Sequence, residues 1–83
     1  MENDEALRAS IRKWAVKCAK QYRFAIPNKV IVNVLKEFPH LQDEGGELMD
    51  LVREVCTEVN KMGDKEILRE ARKIDAGDTT VYE

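Results

Sequence analysis

The sequence predicts an all-α protein: a small antiparallel bundle of three main helices plus a short fourth, C-terminal helix. Apolar residues recur at spacings of three and four through four separate segments. Pro27, Pro39, Gly45-Gly46 and Gly63 punctuate the chain at the ends of those segments rather than inside them. An 83-residue chain with 43% hydrophobic content can bury one modest core, and short connections place successive helices side by side. Residues 1–76 are expected to form that single domain, with 77–83 as a frayed tail.

The first helix is expected over residues 4–23. Leu7, Ile11, Trp14, Ala15, Cys18 and Tyr22 fall within one arc of roughly 100° on the helical wheel. Arg8, Arg12, Lys13, Lys17, Lys20 and Arg23 occupy the opposite half-turn. Asn3 or Asp4 suits the N-cap, and the early carboxylates suit the positive end of the helix dipole. Phe24-Ala25-Ile26 then forms a connector, sealed by Tyr22 and Phe24.

Pro27 fits the first position of a second helix, which runs to about Phe38 and buries Val30, Ile31, Val34, Leu35 and Phe38. The β-branched run Val30-Ile31-Val32 has strand propensity, but the helical spacing continues through Val34, Leu35 and Phe38, and Pro39 stops it. Residues 40–46 form a loop. A third helix from about Glu47 to Met62 carries Leu48, Leu51, Val52, Val55, Val59 and Met62 on one face, with Gly63 as a left-handed C-cap. Asp64 caps a short fourth helix to about Ile74, apolar at Ile67, Leu68, Ala71 and Ile74.

Charge is divided along the chain. Residues 1–36 hold eight basic and three acidic residues, whereas residues 37–83 hold six basic and thirteen acidic ones. The net charge of −2 therefore conceals a basic half suited to a polyanion, or to pairing with the acidic half inside one fold. Six cations on the first helix, continued by Lys29 and Lys36, can follow a phosphate backbone. No apolar run approaches the ~20 residues that span a bilayer, and the helix-one apolar stripe is needed by the core rather than by a membrane surface. The acidic opening Met-Glu-Asn-Asp-Glu lacks the basic flank of a signal peptide, so a cytoplasmic location is expected.

Candidate chemistry is sparse. Cys18, Cys56 and the single His40 lack Cys-x-x-Cys spacing; the cysteines sit on or beside apolar helical faces and read as buried thiols, with neither metal nor cofactor expected. Glu47, Asp50, Glu54 and Glu58 suit a solvated outer face of helix three, where no burial separates their pKa values for acid–base work. Gly45-Gly46 lacks the Lys and Ser/Thr of a phosphate loop. Trp14, at the edge of the apolar arc, either packs in the core, the favoured reading, or stacks on a nucleobase.

The run Ile11-Arg12-Lys13-Trp14-Ala15-Val16-Lys17-Cys18-Ala19, followed by Tyr22, resembles the pattern IRKYALxNAxKY. Ala25, Pro27, Val30-Ile31 and Val34-Leu35-Lys36-Glu37-Phe38-Pro39-His40-Leu41 resemble KANPKAVIGKVLxEFPEL. Glu47-Leu48-Met49-Asp50-Leu51-Val52-Arg53-Glu54-Val55 with Glu58-Val59-Asn60 resembles KELMPLVKEVVEEVN. Together these stretches, over about residues 7–66, are similar to the N-terminal helical region of archaeal-type glutamyl-tRNA synthetases. Related helical regions occur in glutaminyl-tRNA synthetases and tRNA-dependent amidotransferases. The chain departs from the pattern at Tyr22-Arg23-Phe24, where the family has small, glycine-containing residues.

The resemblance implies an accessory helical domain that helps position tRNA, and no aminoacylation by this chain, which lacks the HIGH motif. Lys61-Met62-Gly63-Asp64-Lys65 is faintly similar to the KMSKS loop, but helix-stop and helix-start chemistry accounts for it. The expected tRNA contacts are Arg12, Lys13, Lys17, Lys20, Arg23 and Lys29, each touching phosphate without reading sequence. The alternative is a protein-interaction module docking on the synthetase body or another translation protein through Glu47, Asp50, Glu54 and Glu58.

Overall fold

The computed structural model describes residues 4–41 and 46–77. Four α-helices, and no strand, occur among them: α1 (Asp4–Tyr22), α2 (Pro27–Glu37), α3 (Glu47–Asn60) and α4 (Asp64–Gly77). The cap expected from Asn3, the Gly45 half of the glycine loop and the tail 78–83 lie outside the described residues.

α1 is the centre of the molecule, lying against each of the other three helices; α2 and α3 also pack on each other, whereas the extended packing of α4 is with α1 alone. One core results, with Ile11, Val16, Cys18, Val30, Val34, Val52, Cys56 and Val59 almost wholly removed from solvent. Of the apolar stripes read from spacing on α2, α3 and α4, Val30, Ile31, Val34, Leu48, Val52, Val55, Val59, Ile67 and Ala71 are buried, whereas Leu35, Phe38, Leu51, Met62 and Ile74 are half-buried against that core. Among the described residues, Phe24, Val32 and Leu68 are the large apolar side chains left exposed.

The central position of α1 corrects the expected division of its wheel. Ser10, Val16, Lys17 and Ala19 are buried along with Leu7, Ile11, Trp14, Ala15 and Cys18 of the predicted stripe, Tyr22 being half-buried, because a helix with three neighbours has no single solvated half. The fourth helix is not short: its 14 residues equal α3 and exceed the 11 of α2. Ala76 continues the favourable helix propensity beyond Ile74.

The turn chemistry also differs from expectation. α2 begins as predicted with Pro27 at its first position, and the Ile26 carbonyl accepts from Lys29 and Val30 N–H, both at 3.0 Å. α3 ends at Asn60 rather than Met62; Lys61 N–H turns back to the Glu58 carbonyl at 3.2 Å in a tighter bond. Gly63 is not left-handed. Its carbonyl accepts the Ile67 N–H at 3.0 Å, so it occupies the N-cap position of α4, and Asp64 and Glu66 lie in the first turn. Among the described residues the left-handed ones are Gly46, before α3, and Arg23, after α1, at φ 77° and 74°.

Candidate nucleic-acid interface

The six expected contacts separate into two groups along α1. The first group is engaged with the fold. Arg12 bonds to the Glu70 carboxylate of α4 at 3.1 Å, and its guanidinium also approaches Met62 Sδ at 3.8 Å. Lys13 bonds to Glu37 Oε2 at 2.5 Å, and its ammonium lies 4.9 Å from the centroid of the Trp14 ring. Lys17, only 7% exposed, holds its ammonium over the same ring at 5.2 Å. Trp14 itself is 4% exposed, which makes it a core residue and removes it from contact with an RNA base.

Glu37, which spacing alone did not single out, organises this group. Its carboxylate receives Lys13 on one oxygen and a very short bond from the Ser10 hydroxyl on the other. Desolvation pushes its pKa up, but the bonds from Lys13 and Ser10, the Lys13 charge and the Trp14 N–H outweigh it and hold the carboxyl below its ordinary 4.5. The middle of α1 is thereby tied to the end of α2. The signal available in the sequence is weak: Glu37 is the first carboxylate after a span, residues 6–36, free of acids.

The second group gathers at the other end of α1. Lys20 and Arg23, both exposed, line a cleft of about 380 Å³ with Ala19, Asp64, Ile67 and Leu68, where the end of α1 meets the start of α4. Lys29, on the first turn of α2, holds its ammonium 4.9 Å from the centroid of the Tyr22 ring. α2 has no acidic residue in its first turn and no side-chain N-cap, so its positive dipole end adds to the cations rather than cancelling them.

The backbone beneath these cations is pinned from two sides. Asn60, at the end of α3, accepts the Ala25 N–H on Oδ1 at 2.6 Å and donates Nδ2–H to the Ala25 carbonyl at 3.2 Å. Cys18 Sγ accepts the Ile26 N–H at 3.4 Å and donates to the Phe24 carbonyl at 3.7 Å. The connector therefore has its polar groups satisfied without regular structure. Phe24 does not seal it as expected: the ring is 54% exposed.

Both cysteines are buried thiols, as their helical positions predict. Burial, with the neighbouring Cys18 adding to it, pushes the Cys56 thiol up to about 11, far from the range of a nucleophile at neutral pH. The acidic residues Glu47, Asp50, Glu54 and Glu58 are all exposed on α3, with Glu54 reaching Arg8 at 3.8 Å. No described helix is long and apolar enough to cross a membrane.

Comparison with known proteins gives one informative similarity. The chain is 40% identical over 75 residues to a glutamate–tRNA ligase of Methanopyrus kandleri. The similarity takes in 89% of this chain and 13% of the ligase. No family model matches, and no solved structure matches. The similarity to a glutamyl-tRNA synthetase expected from the helix motifs is thus found, over a segment that is a small part of the relative.

Proposed function

We propose that this chain is a non-catalytic accessory domain of the glutamyl-tRNA synthetase type, corresponding to the N-terminal helical region of the archaeal-type enzymes, which positions tRNA in the cytoplasm. The observation that carries this reading is the cationic end formed by Lys20, Arg23 and Lys29 on a pinned connector, taken with the ligase similarity. These three make the direct phosphate contacts. Arg12, Lys13 and Lys17, held by Glu70, Glu37 and Trp14, supply the positive field behind them. An antiparallel bundle is the arrangement supported by the pairings Ser10–Glu37, Arg12–Glu70 and Ala25–Asn60.

The test is fluorescence anisotropy of the labelled chain titrated with unfractionated tRNA at about 50 and 200 mM salt. Binding should weaken steeply between the two, with roughly one unit of log–log slope for each phosphate contact. Reversing Lys20, Arg23 and Lys29 to Glu should abolish binding with the melting temperature little changed, because none of the three carries the core. Undiminished affinity in that variant would overturn the assignment.

A second reading is favoured by the exposed acidic ridge of α3. There Glu47, Asp50, Glu54 and Glu58 dock on a basic surface of a synthetase body or another translation protein. Pull-down against such a body that survives the Lys20, Arg23, Lys29 reversal but is lost on neutralising the α3 carboxylates would favour docking over RNA binding.

A further inference from the structure

We infer that the α1–α2 connector is a stacking platform for a single unpaired RNA base, with the Phe24 ring as the platform and the Arg23 guanidinium as its companion cation. This rests on the RNA-binding reading above and extends it from phosphate contact to base contact.

Four features of the connector converge on that role. Phe24 is 54% exposed, whereas the two aromatic residues of α1, Trp14 and Tyr22, are buried and half-buried. Its backbone is held on both sides by the Cys18 thiol and by Asn60 at Ala25, so the ring is presented from a fixed base rather than from a loose loop tip. Arg23 precedes it at φ 74°, a left-handed conformation that costs a non-glycine residue roughly 1–2 kcal/mol. The position is the left-handed residue that closes a helix C-terminus, usually glycine; glycine would remove the cost together with the guanidinium. Finally, Arg23 and Lys20 line the adjoining cleft, and Lys29 stands over Tyr22, two positions before Phe24.

An aromatic face set among cations is the arrangement that holds single-stranded nucleic acid. The ring stacks on a base, the cations take the flanking phosphates, and neither demands a particular sequence. A paired base offers its face to its neighbours in the helix, so the platform selects unpaired nucleotides such as those in tRNA loops and at its 3′ end.

The experiment uses the whole chain and two RNA probes: a ten-nucleotide single strand carrying a central 2-aminopurine, and a blunt duplex of sixteen base pairs. Phe24→Ala and Phe24→Trp are compared with the parent chain, with circular dichroism checking that each remains helical. The parent should quench the 2-aminopurine. Phe24→Ala should lose about tenfold in affinity for the single strand and leave duplex affinity unchanged, and Phe24→Trp should restore single-strand binding. If Phe24→Ala binds both probes as the parent does, or loses equally on both, the platform is wrong while phosphate binding stands. If the parent chain binds neither probe nor tRNA, the RNA-binding reading falls and the platform with it.

Discussion

The side chain of Asn60 satisfies both backbone groups of Ala25, accepting its N–H at 2.6 Å and donating to its carbonyl at 3.2 Å. Ala25 is itself 1% exposed, so these groups have no ready access to water. Asn60→Ala should destabilise the fold by about 1–3 kcal/mol in urea denaturation. Asn60→Asp should also destabilise, because its carboxylate can accept from Ala25 but cannot donate. An alanine variant as stable as the parent would mean that the connector finds other partners.

The Ser10–Glu37–Lys13 cluster makes stability depend on acid. Because the folded pKa of Glu37 is depressed below 4.5, its contribution is present above that value and is lost as pH falls through the folded pKa. In Glu37→Gln that part of the acid dependence should vanish. Parallel pH–stability curves for the two proteins below pH 4.5, measured by denaturant titration, would contradict the depressed pKa.

Cys56 makes the opposite prediction at high pH. Its folded pKa is raised from 9.0 to about 11, so its contribution is intact below 9.0 and declines as pH rises toward 11, where the unfolded chain ionises and the native one does not. Cys56→Ala should flatten stability in that window, at the cost of a small cavity. Native Cys56 should also react with a thiol reagent at pH 8 only through unfolding, its rate rising with urea.

Arg23 trades stability for charge. Arg23→Gly relieves the left-handed strain at φ 74° but enlarges the conformational freedom of the unfolded chain. The expected net gain is up to about 1 kcal/mol in thermal denaturation. The same substitution should weaken tRNA binding and reduce its salt slope by roughly one unit. A glycine variant that loses stability would show that the Arg23 side chain packs more productively than its exposure implies.

The helices were legible because three of the four present a single apolar stripe to one side. α1 was legible as a helix but not in its surroundings. Its C-terminal half, Trp14 to Ala19, is an almost uninterrupted buried run, the pattern of a helix covered on several sides. The five cations of α1 mask that pattern in the sequence, and Lys17, on the expected basic half, has its stem buried and its ammonium over the Trp14 indole. The Glu37 cluster escaped notice because it joins residues 24 and 27 positions apart, beyond any local period. Gly63 was misread because two adjacent helices compete for the same glycine; the start of α4 claimed it. The Phe24 ring was expected to seal the connector, a job that Asn60 and Cys18 perform through hydrogen bonds instead.

The packing of α4 chiefly on α1 bears on how the chain is built. Synthesis delivers α1, α2 and α3 first, and the clasp of Asn60 on Ala25 is available as soon as α3 has emerged. The nascent chain can then hold a partial core with one flank of α1 still bare. Arg12 waits for its partner until α4 is made, because Glu70 lies on that helix, after the other three.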